Sequence, residues 1–212
     1  MKPLADCKLY TFVDTACLHG RAPELVAQQL CDGGSDLIQL RAKNSSPDEI
    51  RALAERILPV TRRANVGLVI NDQADVARDL DAEFCHLGQE DFFDAGYKSV
   101  IDLWGAERVV RIGLSTHSPA QAQHALNAGA DYLAVGPVYP TGTKPTAAPV
   151  TLEYVRWAAA HVSVPWFAIG GINLQNLDDV LAAGAKRICV VSAILKTPDV
   201  ARACAEFRRR LR

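Results

Sequence analysis

Short apolar runs rich in β-branched residues recur along the whole chain. They fall at Leu9–Val13, Leu37–Leu40, Val66–Ile70, Phe84–Leu87, Val109–Leu114, Tyr132–Val135, Trp166–Ile169 and Ile188–Val191, eight in all. Most show little alternation of apolar and polar positions, as expected of parallel strands covered on both faces. Helical patterns lie between them. The clearest puts Ile50, Leu53, Ala54, Ile57 and Leu58 on one face. Ser46 stands before it as a cap, Pro47 suits the first helical position, and Glu49 can reach back to complete a capping box. Pro59 is expected to end or kink that helix. Ser118-Pro119 repeats the start signal, and Thr197-Pro198 gives a weaker version.

The order of these elements is fixed by a recurrence. Gly34, Gly129 and Gly184 each precede an apolar run by a few residues, where a helix end needs a left-handed residue. Their intervals of 95 and 55 residues fit roughly four and two β/α units of about 24 to 27 residues, so the runs that follow are strands two, six and eight. Eight such units predict an α/β fold, a (β/α)8 TIM barrel formed as one domain over residues 1–212. A doubly wound open sheet would carry a glycine-rich dinucleotide turn after its first strand, and none is there.

Composition narrows the function. The chain has 212 residues, 49% of them hydrophobic, enough for one substantial core. With 23 basic against 24 acidic residues there is no overall positive field to gather nucleic acid or anionic lipid, so any bound anion must be held locally. Met1 to Tyr10 lacks the apolar stretch of a signal peptide and no run approaches a membrane span, so a soluble, cytoplasmic protein is expected. Six cysteines are scattered without a paired spacing, which predicts buried, reduced thiols rather than disulfides or zinc.

In such a barrel the carboxyl ends of the strands share one face, so residues far apart in sequence become one pocket. Those ends carry Gln39, Arg41 and Lys43; Asn71-Asp72; Gly88 to Asp91; Ser115 to His117; Gly136 to Lys144; Gly170-Gly171; and Val191-Ser192. Glycines after strand seven and Val191-Ser192 after strand eight suit a phosphate monoester held by backbone N–H groups. Arg41, Lys43 and Lys144, with Asp72 and Asp91 as hard oxygen ligands for magnesium, suit a diphosphate. Each group alone has an ordinary reading: Asn71-Asp72 as a turn, Glu90-Asp91 as a helix start, Gly170-Gly171 as a tight turn, Lys144 as a solvated loop residue. Complementary chemistry falling after successive strands is what lifts the set. His86 is read as filling the barrel rim and His117 as able to reach a substrate. The basic tail Arg208-Arg209-Arg210 is read as a solvated helix end favoured by the helix dipole.

Gln39-Leu40-Arg41-Ala42-Lys43, Ile70-Asn71-Asp72, His86 through Asp91, Gly113 through His117, Gly136 through Lys144, Ala168 through Ile172 and Val191 through Ile194 together resemble the thiamine-phosphate synthases, in order and over nearly the whole chain. The resemblance implies an enzyme that joins 4-amino-2-methyl-5-hydroxymethylpyrimidine diphosphate to hydroxyethylthiazole phosphate, giving thiamine phosphate and pyrophosphate. By it, Gln39, Leu40, Arg41, Ala42, Lys43, Asn71, Ser115 and Lys144 would hold the pyrimidine diphosphate, with Arg41, Lys43, Ser115 and Lys144 catalytic. Asp72 and Asp91 would hold Mg2+, and Thr141, Gly142, Thr143, Gly171, Val191 and Ser192 the thiazole phosphate. The partners implied are two small phosphorylated substrates, without nucleic acid or membrane, and self-association into a homo-oligomer is left open. Two stretches depart from the family pattern: Thr11 through Thr15, at the end of the first strand, and the aromatic, charged segment Phe92–Trp104, which is expected to affect packing or assembly. The loops Ala42–Pro47 and Tyr139–Pro149 are candidates for a lid. A thiazole tautomerase on the same barrel would need a proton-transfer group such as His117 but no diphosphate or metal ligands, and a non-catalytic phosphate-binding barrel would lack turnover.

Overall fold

The eight apolar runs hydrogen-bond in chain order into a closed barrel, every neighbouring pair parallel and the last strand returning to the first. The computed structural model describes residues 1–105, 110–142 and 148–211. The strands are β1 (Leu9–Asp14), β2 (Leu37–Arg41), β3 (Gly67–Asn71), β4 (Phe84–Leu87), β5 (Arg111–Thr116), β6 (Tyr132–Val135), β7 (Trp166–Ile169) and β8 (Ile188–Cys189). Most bounds agree with the sequence pattern to within one residue, and the larger differences fall at β5 and β8. β5 runs on through Ser115 and Thr116, and β8 stops at Cys189 because the chain turns into a short helix at Ser192. Val109 lies outside the described residues.

Helices α1 (Pro23–Asp32), α2 (Pro47–Ala64), α3 (Ala74–Asp79), α4 (Pro119–Asn127), α5 (Thr151–His161), α6 (Leu177–Ala182), α7 (Ser192–Leu195) and α8 (Val200–Arg210) cover the barrel. Ser46 and Glu49 form the capping box at the start of α2, and the Ser118 hydroxyl caps α4 at Gln121. Gly34, Gly129 and Gly184 are left-handed, with φ of 85°, 84° and 102°. Pro59 does not end α2, which continues to Ala64. Pro59 and Glu55, the residue whose carbonyl it leaves without a donor, both lie on the exposed face, where water can serve that carbonyl. Thr197 is not a cap; Asp199 caps α8 by accepting from the N–H of Arg202.

The barrel is filled, not hollow. Tyr10 packs edge-on to Phe167 at 5.3 Å and Tyr132 edge-on to Phe84 and Phe167 at 5.9 Å. Gly113 on β5 makes room for this plug: a Cβ there would sit 2.0 Å from Tyr132 Cζ. The segment after β4 forms a π-helical turn, Glu90–Asp94, and a 3-10 turn, Val100–Leu103, in place of a full helix. Its aromatic residues are packing groups: Phe92 is buried against Phe93 and Tyr97, and Phe93 stacks on His124 of α4.

All six cysteines are free. Cys7, Cys85, Cys189 and Cys204 are buried, whereas Cys17 and Cys31 are only half-buried. Burial pushes the Cys7 and Cys31 thiols up to about 11 and Cys204 to about 12, which leaves them inert as nucleophiles at neutral pH. The basic tail is not simply solvated. Arg208 reaches back to the buried Asp36, and Arg210 pairs with Asp178. Among the described residues no helix is long and apolar enough to cross a membrane.

Candidate active site

One cavity opens at the carboxyl ends of the strands, and most of the residues singled out from the sequence line it: Gln39, Arg41, Lys43, Asn71, Asp72, Asp91, Ser115, Thr141, Gly171, Val191 and Ser192. The alternation of a strand accounts for two that do not. Gln39 and Arg41 point into the barrel, so Leu40 and Ala42 point outward, where they are buried at 1% and 3% exposure under the helices. Gly142 does not line the cavity either. Thr143 and Lys144 lie outside the described residues, as does 143–147 of the Tyr139–Pro149 loop.

Arg41 is aimed by a neighbour that the sequence reading noted only as part of the Thr11–Thr15 departure and gave no role. Asp14 stands opposite it in the β1–β2 register, and Asp14 Oδ2 accepts from Arg41 Nη1 at 2.9 Å while Oδ1 accepts from the N–H of Ala16. Asp14 is 2% exposed, so the pair stabilises the guanidinium in one direction rather than letting it wander. The same rule that found Arg41, a polar residue at the end of an apolar strand, would have found Asp14.

The carboxylates come from β3 and β4. Asp72 adopts a left-handed backbone, φ 62°, a conformation Asp tolerates better than most residues, and its N–H donates to the His86 carbonyl at 2.9 Å. Its Oδ2 accepts from Asn71 Nδ2 and lies 3.6 Å from Lys43 Nζ. Asp91 tucks against the backbone of Gly88, whose N–H it accepts at 3.2 Å; a Cβ at Gly88 would come within 2.6 Å of that same oxygen. Burial raises the Asp72 carboxyl above its ordinary value, the Asp91 charge raises it further, and Lys43 opposes both.

Across the mouth, the turns after β6 and β7 are zipped together. Val138 donates to the Ile169 carbonyl and Tyr139 to Gly170. Gly170 and Gly171 are left-handed at φ 102° and 65°, and a Cβ on Gly170 would meet Pro137 Cα at 2.4 Å, so only glycine permits this approach. Asn176 holds the Gly171 carbonyl at 3.0 Å, a support without any sequence signal beyond its place after the glycines. Ser192 opens α7, whose first N–H groups have no partner within the helix itself. His117 also lines the cavity; its Nδ1 is close to the Gly136 carbonyl and its backbone N–H donates to Gln121.

Comparison with known proteins assigns the chain to a family. The family model described as thiamine monophosphate synthase matches residues 9–194. The chain belongs to that family. Membership makes it an enzyme of thiamine-phosphate synthesis built on a TIM barrel. The thiamine-phosphate synthase of Lawsonia intracellularis is 41% identical over 204 residues, 96% of this chain and 92% of that one. The synthase of Thermus thermophilus is 47% identical over 180 residues, 84% of each chain. Among solved structures, the thiamine phosphate pyrophosphorylase from Pyrococcus furiosus superposes with a TM-score of 0.85 at 30% identity, covering 98% of this chain and 96% of that one. Its substrates are accordingly small molecules.

Proposed function

We infer that residues 1–212 act as one catalytic unit that binds a pyrimidine diphosphate and a thiazole phosphate side by side at the barrel mouth, and joins them to give thiamine phosphate and pyrophosphate. The observation that carries this reading is the sorting of one cavity into two chemistries. Arg41, Lys43, Asn71, Asp72, Asp91 and Ser115 lie on the β2–β5 side, and Thr141, Gly171, Val191 and Ser192 lie on the β6–β8 side.

The first side fits Mg2+ with a diphosphate. Burial raises the Asp72 carboxyl and the Asp91 charge raises it further, a cost that a bound cation would offset. Among the described residues no cluster of three or more His, Cys, Asp or Glu could hold a metal, so the protein offers two carboxylates. That suits an ion that keeps several waters and takes the rest of its ligands from substrate phosphates. When bound, magnesium supplies positive charge that favours departure of the diphosphate.

The chain's own groups do the rest. Arg41, held by Asp14, and Lys43 neutralise the leaving diphosphate as the C–O bond breaks; Lys144 joins them by the resemblance alone. The electron pair leaves with pyrophosphate, and the thiazole nitrogen donates its own pair to the methylene carbon to form the new C–N bond, so no protein nucleophile is required. Gln39 and Ser115 orient the pyrimidine ring. Phe12, Ile169, Ile172 and Val191 line the cavity with apolar surface that keeps water from the cationic carbon. Backbone N–H groups of Gly171 and at the start of α7, with Thr141 and Ser192, hold the thiazole phosphate; Thr143 joins them by the resemblance alone. Phosphorylated substrates of this kind place the reaction in the cytoplasm.

Incubation with both substrates and Mg2+, followed by oxidation to fluorescent thiochrome, tests the reading. The expected result is product that vanishes with EDTA. Binding of thiazole phosphate without turnover would instead identify a phosphate-binding barrel.

A further inference from the structure

Beneath the site runs an unbroken series of polar contacts that the chemistry above leaves unused. Gln39 donates from Nε2 to the Tyr10 hydroxyl oxygen, and the Tyr10 and Tyr132 hydroxyls lie 3.3 Å apart. The Tyr132 hydroxyl is 3.3 Å from His86 Nδ1, and His86 Nε2 is 3.0 Å from Ser115 Oγ. Tyr10, Tyr132 and His86 are 1%, 0% and 7% exposed, so bulk water does not compete for these groups.

One direction of the series uses each hydrogen once. The Gln39 amide nitrogen donates to the Tyr10 oxygen, and in this direction the Tyr10 hydrogen goes to Tyr132, the reverse being open to a phenol oxygen that accepts twice. Tyr132 has then accepted, and its own hydrogen is left for His86 Nδ1. A neutral imidazole whose Nδ1 accepts carries its proton on Nε2, which donates to Ser115 Oγ. The Ser115 hydrogen is thereby turned away from His86 and toward the cavity that Ser115 and Gln39 both line. Burial keeps both phenols protonated, holding Tyr10 and Tyr132 well above the usual tyrosine value, and donation to Tyr132 raises Tyr10 further. Gln39 commits one of its two Nε2 hydrogens to Tyr10 and keeps Oε1 as an acceptor it can offer a ligand.

We propose that Tyr10, Tyr132 and His86 are positioning residues, a one-way chain that makes Ser115 a hydrogen-bond donor and Gln39 an acceptor at the cavity floor. That pair complements a heteroaromatic ring bearing an amino group beside a ring nitrogen. The identity of the ring as the aminopyrimidine rests on the proposed function; the order of donors and acceptors does not.

Long-range 1H–15N spectra of histidine-labelled protein, with His86 assigned by its loss in His86→Gln, read the tautomer directly. The expected result at pH 8 in the free protein is a neutral His86 protonated on Nε2. Tyr132→Phe removes the donor to Nδ1. It should relax that tautomer to a mixture and raise KM for the pyrimidine diphosphate roughly 3- to 10-fold, one hydrogen bond's worth. KM for the thiazole phosphate should stay unchanged. Tyr10→Phe breaks the same chain one link earlier and replaces Tyr132→Phe should that variant not fold. An Nδ1-protonated ring, an imidazolium, or a variant with unaltered tautomer and KM overturns the chain. Absence of synthase activity in the parent would sink the substrate assignment alone, because the tautomer is read without substrate.

Discussion

At the floor of the barrel, Asp36 is 5% exposed, and its Oδ2 accepts from the N–H groups of Lys8 and Leu9 and from Arg208, while Lys2 pairs with Oδ1. At the mouth, Asp72 is pressed against Asp91 and opposed only by Asn71 and a lysine 3.6 Å away. The floor repeats its solution elsewhere. Glu83 accepts from the N–H of Leu68, and Asp131 from that of Ile112, each carboxylate closing the start of a neighbouring strand. A carboxylate satisfied by backbone donors is a structural clasp. One that leans on another carboxylate carries a cost that the proposed function assigns to a cation from outside the chain, and this contrast is what the two ends of the barrel offer for test.

The contrast can be broken at either end. The largest effect is expected from Asp36→Ala, which strands Arg208, Lys2 and two backbone N–H groups. Denaturant unfolding should show a loss of about 3–5 kcal/mol, the range for breaking a buried charge pair, with turnover per folded molecule unchanged. Asp72→Asn should do the reverse, cutting turnover on the order of 100-fold, the scale of lost charge stabilisation by a metal site, while leaving the fold intact. The sign of its pH dependence sharpens the point. The folded state holds the Asp72 proton more tightly than the unfolded chain does, so this group favours folding below its unfolded pKa, and that contribution is lost as pH rises through the folded value. Metal-free Asp72→Asn should therefore melt above the parent at pH 7, and the gap should close as the pH falls through the carboxylate range.

Smaller effects probe the aiming of single groups. Asp14→Asn removes the charge that orients Arg41. It should raise KM for the pyrimidine diphosphate by roughly 3- to 10-fold, the scale of one charge-assisted hydrogen bond, with the melting temperature little changed. Ser192→Ala should weaken thiazole phosphate only a few-fold, since the backbone N–H groups at the start of α7 remain; steady-state kinetics with each substrate varied in turn separates the two.

Most of the barrel was legible because a parallel strand covered on both faces leaves an apolar run, and a helix end leaves a left-handed glycine. Gly34, Gly129 and Gly184 gave the order of strands two, six and eight by spacing alone. Pro59 misled because the rule that proline ends a helix presumes the freed carbonyl has no water, and on the outer face of α2 it has. At the site, position along the strand singled out Gln39, Arg41, Lys43, Asp72, Asp91 and Ser115, and the closed barrel brings them to one cavity. Leu40 and Ala42 belong to the same motif but face the helices, since a contiguous motif on a strand is split between two faces. Asp14, Tyr10 and Tyr132 stood in the sequence only as members of strand segments, without a role of their own, for a different reason: they act through partners 27, 29 and 46 residues away in the chain, so only the closed barrel brings each pair together.

The central claim is that Asp72 and Asp91 are incomplete without a cation and its diphosphate. Calorimetric titration of inorganic pyrophosphate into the free protein, with and without Mg2+, tests it most directly. The account predicts that each ligand tightens the other at least about tenfold, a coupling of roughly 1.4 kcal/mol, and that Asp72→Asn combined with Asp91→Asn abolishes this coupling. Pyrophosphate binding of equal strength with and without magnesium in the parent, or a coupling that survives in the double variant, would contradict it.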